Sequence, residues 1–209
     1  MSGRANEHHR TAGGAAARRS AGETASDGGG IVRRVSTREV YRNPWMTLRE
    51  DEIRRPDGSD GIYSVIDKPD FALVIPAEPD GFHLVEQYRY PVGGRYWEFP
   101  QGTTAGGAAV APVELARAEL AEETGLRAGS LELLGHLHCA YGMSSQGFDV
   151  FLATELTPGP PAREESEQDM RQRRVSRAEF EALIRSGRVT DDSTLAAYAL
   201  LLMREAGRL

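Results

Sequence analysis

The sequence of 209 residues is poor in the features that mark secreted, membrane-spanning and nucleic-acid-binding proteins. It contains one cysteine, Cys139, which excludes an internal disulfide framework and favours a reducing compartment. No apolar run approaches the roughly 20 residues that a membrane span requires, and the first residues lack the apolar core of a signal peptide. The net charge of −6 provides no general basic field for nucleic acid or an anionic membrane. We therefore expect a cytoplasmic protein that binds neither.

The chain is expected to contain a tail, a small subdomain and a larger domain. Residues 1–30 are mostly alanine, glycine, serine and arginine, which bury too little apolar surface to offset the entropy lost on ordering, so we predict a disordered tail. Alternating apolar and polar residues on both sides of the turn "RPDGSDG" predict an antiparallel hairpin at 46–67. We assign residues 31–68 to an N-terminal β subdomain and residues 69–209 to the main domain.

In the main domain, the pattern predicts strands on both sides of one central helix. Apolar runs and alternation indicate strands in "FALVIPAE", "FHLVEQYRY", "ELLGHLHCAY" and "FDVFLATEL". The helix is expected between Pro112, which suits a first turn, and Gly125, which can adopt the left-handed conformation that ends a helix. Two more helices follow, the first opened by a capping box of Ser176 and Glu179. This order predicts an α/β fold in which a mixed β-sheet is sandwiched between helices, preceded by a small antiparallel β subdomain.

The central helix carries three glutamates, Glu119, Glu122 and Glu123, whose spacing places them on one side. Such a charged face is usually only solvated. Here, however, no lysine or arginine is interleaved to neutralise the acids, and the glycine-rich turn "PQGTTAGG" can bring backbone carbonyls close to them. Carboxylate and carbonyl oxygens are the ligands that Mg²⁺ or Mn²⁺ prefers. The pattern therefore favours a metal site suited to metal-assisted hydrolysis of a phosphorylated substrate.

This stretch resembles the signature of the Nudix hydrolase family. The signature places a glycine some distance before Arg-Glu-hydrophobic-any-Glu-Glu-any-Gly-hydrophobic, and "AELAEETGL" at 118–126 matches every position except the arginine. The resemblance implies the Nudix fold and a Mg²⁺ or Mn²⁺ site. Its ligands would be Gly102, Glu119, Glu122 and Glu123.

Two departures from the signature concern the residues that support the metal site. Ala118 occupies the arginine position, and in the family that arginine holds the catalytic glutamates by charge-assisted hydrogen bonds. The neighbouring Arg117 lies about 100° around the helix axis and should point elsewhere. The loop after Gly102 is also longer than the pattern allows and lacks its glutamate. These losses put the reaction rate and the metal affinity in question more than the fold.

Stretches outside the signature, such as "VEQYRYPVGGRYWEFPQG", look like the ADP-ribose pyrophosphatase branch of the family over about residues 32–206. That branch implies an N-terminal strand domain, often exchanged across a homodimer, and hydrolysis of the diphosphate of ADP-ribose or a nucleotide sugar into two monophosphates. It also implies that Arg89 and Glu98 bind substrate. The general base would be Glu167 or Glu165, with Glu123 as a further candidate.

Two other functions remain open on the sequence alone. Because Ala118 removes the arginine's support, the chain is also compatible with a catalytically impaired Nudix-like module that binds an ADP-ribosyl ligand. A scaffold whose acidic helix is merely solvated is the third possibility. Among the aromatic residues, Tyr88 and Tyr90 are candidates to stack on a base, whereas core packing is favoured for Trp97.

Overall fold

The computed structural model describes residues 31–104, 110–163 and 168–209. The tail predicted at 1–30 lies outside the described residues. Within those ranges, the helices are too short or too polar to cross a membrane.

The N-terminal sheet has three antiparallel strands in the order β1-β2-β3. They are β1 (Arg33–Asn43), β2 (Met46–Arg54) and β3 (Asp60–Asp67). The hairpin predicted at 46–67 is confirmed. Its turn depends on Gly58, which has φ +84°, and on Asp57, whose side chain accepts a 2.9 Å hydrogen bond from the Ser59 backbone N–H.

The main sheet contains seven strands, with β10-β5-β4-β9-β8 as its principal order, β6 beside β5 and β7 beside β4. Only β4 and β9 run parallel among the paired strands of the described sheet, so the sheet is mixed as predicted. The strands are β4 (Phe71–Glu78), β5 (Gly81–Arg89), β6 (Gly94–Glu98), β7 (Gln101–Gly102), β8 (Arg127–His138), β9 (Gly147–Thr157) and β10 (Arg171–Ser176).

Helices cover both faces of this sheet, and two apolar clusters fill the space between. On one face lies α1 (Pro112–Thr124), whose Ala116 and Leu120 pack against strands β4 and β9. On the other lie α2 (Arg177–Arg185) and α3 (Asp192–Glu205), packed through stacked and edge-on aromatic rings. The predicted sandwich of a sheet between helices is confirmed, as is the capping box of Ser176 and Glu179.

The N-terminal sheet joins the main domain through the loop between β8 and β9. The Tyr63 hydroxyl donates to the Gly142 carbonyl at 2.6 Å, and the Ile66 N–H donates to the Met143 carbonyl at 2.8 Å. Away from this joint, β1 is exposed along almost its whole length. Large apolar side chains therefore face outward on this sheet and at the turn after β1, among them Val40, Tyr41 and Trp45.

Candidate active site

Helix α1 places two of the three predicted glutamates away from solvent. Ala116 and Leu120 draw one side of the helix onto the sheet, and Glu119 and Glu123 lie next to that side, 8% and 1% exposed. Glu122 is half-buried. A merely solvated acidic face is therefore wrong for Glu119 and Glu123. Two carboxylates one helical turn apart are held inside the protein.

The carboxylate of Glu119 lies directly against the backbone of Gly102. Strand β7 places Gly102 opposite Ala72 of β4, beneath α1. A Cβ atom at position 102 would stand 2.3 Å from Oε2 and 2.6 Å from Oε1 of Glu119, closer than such atoms can approach. The absence of a side chain at Gly102 is thus what lets the carboxylate occupy this place. Gly102, near the start of the predicted glycine-rich turn, and the acidic helix therefore meet at one point.

The donor set at this point fits a small hard cation. No group of three or more His, Cys, Asp or Glu side chains in the described ranges is close enough to hold a metal unaided. Mg²⁺, however, is commonly bound by one or two carboxylates, with water and substrate phosphates completing its coordination. Glu119 and Glu123 provide two such carboxylates. The predicted roles of Glu122 and of the Gly102 carbonyl as further ligands stay predictions.

A second set of polar residues lies on the same face of the sheet. Trp97 and Phe99 belong to the apolar layer under α2 and α3, which confirms the core packing predicted for Trp97. Because successive side chains of a strand point to opposite faces, Glu98 between them points toward the face of the sheet that α1 covers. Glu98 is 1% exposed. Arg89 donates to both of its oxygens, through Nε at 3.1 Å to Oε2 and through Nη2 to Oε1, and Gln87 donates to Oε1 at 2.8 Å.

The ion pair of Arg89 and Glu98 affects the pKa of Glu98 and leaves Arg89 partly exposed. Burial raises the pKa of Glu98, and the charge and hydrogen bonds of Arg89 counteract part of that rise. The side chain of Arg89 remains 40% exposed, so its guanidinium can meet a ligand while its partner cannot. Of the two predicted substrate-binding residues, Arg89 is therefore accessible. Glu98 lies beneath it, and a direct contact between Glu98 and substrate stays a prediction.

Other sequence predictions meet different outcomes. Arg117 reaches strand β8, where Nη1 donates to the Ala128 carbonyl at 3.2 Å, so it points away from Glu119 as expected. Both candidates for the general base on the acidic loop, Glu165 and Glu167, lie outside the described residues.

Two residues of the site were missed by reading the sequence. Gln87 could have been found, since it stands two residues before Arg89 on a predicted strand and so shares its face. Arg163 could not. It donates from Nε to the Glu123 carbonyl at 3.1 Å, across a separation of 40 residues that carries no local signal.

Comparison with known proteins agrees with this geometry. A family model described as the NUDIX domain matches residues 67–197, and one described as the nucleoside diphosphate sugar hydrolase N-terminal domain matches residues 32–66. An ADP-ribose pyrophosphatase of Mycobacterium tuberculosis (strain ATCC 25618 / H37Rv) is 32% identical over 139 residues, which cover 65% of this chain and 66% of that protein. The solved structure of an ADP compounds hydrolase has the same fold, with a TM-score of 0.75 over 88% of this chain and 100% of that one, at 20% identity.

Proposed function

Because this chain belongs to the Nudix family, we propose that it hydrolyses the diphosphate bond of a nucleoside diphosphate derivative into two monophosphates. ADP-ribose or a nucleotide sugar is the expected substrate. The observation that carries the proposal is the pair of buried carboxylates, Glu119 and Glu123, with that of Glu119 lying against the backbone of Gly102. The names of the similar proteins, an ADP-ribose pyrophosphatase and an ADP compounds hydrolase, support the substrate class.

The acidic side of α1 would hold Mg²⁺ or Mn²⁺ through Glu119 and Glu123, with Glu122 and the Gly102 carbonyl as further ligands. A divalent cation at such a site neutralises phosphate oxygens and lowers the pKa of bound water. Because Glu119 and Glu123 are buried, bulk water competes less with their carboxylates for the cation. A carboxylate must also accept a proton from the attacking water. Glu167 and Glu165 are proposed for this role, with Glu123 as the alternative.

Arg89 is proposed to bind a phosphate oxygen of the substrate. Guanidinium groups recognise phosphate through paired N–H donors, and this one is already oriented by Glu98. The fixed orientation reduces the entropy lost when the substrate binds. Tyr88 and Tyr90, 50% and 86% exposed, stay the proposed candidates to stack on a base.

The alternative function is a module that binds an ADP-ribosyl ligand without splitting it. One observation favours it, namely Ala118 at the position where the family signature has an arginine. Such a module would keep Arg89 and the fold while losing the geometry of the glutamates.

The two functions give different results in one experiment. The purified chain is incubated with ADP-ribose and Mg²⁺, and AMP release is followed by chromatography, with binding measured in parallel by calorimetry. We expect AMP to form with Mg²⁺ or Mn²⁺ and to disappear when EDTA removes the metal. A panel of nucleotide sugars run beside ADP-ribose identifies the preferred substrate. Tight binding without AMP would instead establish the binding module.

We also propose that the protein is a homodimer. The outward-facing apolar residues around β1, including Tyr41 and Trp45, form an exposed patch of the kind found at protein interfaces. Light scattering on the purified chain should give about twice the chain mass of 22.8 kDa. A mass equal to one chain across the micromolar range would contradict the proposal.

Location in the cytoplasm rests on the reducing environment that the single Cys139 suggests. Burial raises the pKa of its thiol, which disfavours the reactive thiolate. Fractionation of the source cells would test the location.

A further inference from the structure

Helix α1 has no basic residue in its last turn, although that turn carries Glu122 and Glu123. The last carbonyl groups of a helix lack partners within the helix and carry partial negative charge. The side chain that supports the glutamates in the resembling family is absent, because Ala118 occupies its position. Support for this turn must therefore come from elsewhere in the chain.

The segment after β9 supplies that support. The Ala162 N–H donates to the Glu122 carbonyl at 3.0 Å, and Arg163 donates from Nε to the Glu123 carbonyl at 3.1 Å. Arg163 also donates from Nη1 to the Met170 carbonyl at 2.5 Å, immediately before β10. One guanidinium thus joins the end of α1 to the main sheet.

Close packing keeps this segment on the end of the helix. Gly125 ends α1 with φ +72°, and a Cβ atom there would stand 2.2 Å from the carbonyl oxygen of Gly159. Only glycine allows the two backbones to approach this closely. The backbone before Arg163 is therefore held at the end of α1 by this contact and by the hydrogen bond of Ala162.

We propose that Arg163 is the positioning residue that replaces the missing signature arginine. It acts on the backbone of the last turn, where it fixes the carbonyl of Glu123 and so the orientation from which its carboxylate projects. A charged donor at a helix C-terminus also offsets the negative end of the helix dipole. The proposal rests on the metal site of the proposed function.

The test measures Mn²⁺ binding without substrate, by the electron paramagnetic resonance signal of the free ion. Arg163→Met should weaken Mn²⁺ binding by about 10- to 100-fold, the range found when groups that orient metal ligands are removed. Adding Ala118→Arg to that variant should recover most of the affinity. Arg163→Met should also lower the melting temperature, because the Glu123 carbonyl loses its donor. The melting temperature should stay low in the double variant, because Ala118→Arg does not replace that donor. Restored affinity without restored stability separates positioning of the glutamate from capping of the helix.

Several results would overturn the proposal. Parental Mn²⁺ affinity in Arg163→Met would do so, and so would an affinity that Ala118→Arg fails to recover. If Arg163→Met does not fold, Arg163→Gln takes its place. Its side chain carries N–H donors on one nitrogen only, so it loses the two nitrogens that bond the Glu123 and Met170 carbonyls together. Parental affinity in that variant would overturn the proposal too. Arg185→Met, which removes an exposed arginine of α2, is the matched control and should bind Mn²⁺ like the parent. A parent chain that binds no Mn²⁺ would overturn the proposed function as well.

Discussion

Glu123→Gln should reduce kcat/KM for AMP release from ADP-ribose by about 10³-fold. The change keeps the shape of a side chain that is 1% exposed and removes its charge. Charge stabilisation by a bound metal is worth several kcal/mol in the transition state. Each 1.36 kcal/mol corresponds to about a factor of ten in rate. Because the fold is expected to persist, the loss should appear in kcat/KM while circular dichroism stays unchanged.

The control for this variant lies on the same helix. Glu114→Gln removes the charge of a glutamate whose side chain is 64% exposed in the first turn of α1, and it should retain parental activity. The same neutralisation is thus tested at a solvated and at a buried position. Near-parental activity of Glu123→Gln would show that its carboxylate takes no part in the reaction. It would leave the fold assignment intact and remove the proposed mechanism.

Arg89→Met should lower kcat/KM by about 10- to 150-fold and raise KM. A hydrogen bond to a charged group contributes about 1.5–3 kcal/mol, which corresponds to this range at 1.36 kcal/mol per factor of ten. Methionine keeps most of the apolar stem and removes the guanidinium that would hold a phosphate. Steady-state kinetics on ADP-ribose separate the effect on KM from the effect on kcat. Loss of a phosphate contact in Arg89→Met should raise KM, whereas loss of the proposed metal ligand in Glu123→Gln should act mainly on kcat.

The same variant should show a pH-dependent loss of stability. Arg89 lowers the pKa of Glu98, which burial raises, so its removal lets the folded pKa rise further. An acid with a raised folded pKa favours folding below its unfolded pKa, about 4.3 for glutamate. That contribution is lost as pH rises toward the folded pKa. The melting temperature of Arg89→Met should therefore fall further below the parent at alkaline than at acidic pH.

Arg204→Met provides the comparison, since it breaks an exposed pair between Arg204 and Glu132 on another part of the surface. Exposed pairs contribute about 0–1 kcal/mol, so neither KM nor the pH profile should change. Equal behaviour of the two variants would contradict a special role for Arg89.

The sequence predicted the fold well because the relevant signals are local. Pro112 and Gly125 mark the ends of α1, the pair of Ser176 and Glu179 opens α2, and alternation defines the hairpin at 46–67. Each depends on residues within a few positions of one another. The approach of Gly102 to Glu119 could be predicted for the same reason, because the two residues are close in the sequence.

The unpredicted parts of the site depend on contacts distant in sequence or on burial. No residue near Glu123 in the sequence indicates a contact with Arg163. The hydrogen bond from Arg163 to the Glu123 carbonyl forms only because the segment after β9 returns to the end of α1. The spacing of Glu119, Glu122 and Glu123 showed that they share a side of the helix. It could not show that two become buried and one only half-buried, since that depends on how α1 rotates against the sheet. The accessibility of Arg89 and the burial of Glu98 likewise follow from packing.

Gly102 has a practical consequence for anyone who diversifies this protein in the laboratory. The atom that a new side chain would strike is the mobile end of Glu119, not a backbone atom. A Gly102→Ala variant should therefore express, purify and melt much like its parent, although the carboxylate of Glu119 is displaced. Screens that rank clones by yield or thermal resistance will keep such variants, and only an assay of turnover or ion uptake will discard them.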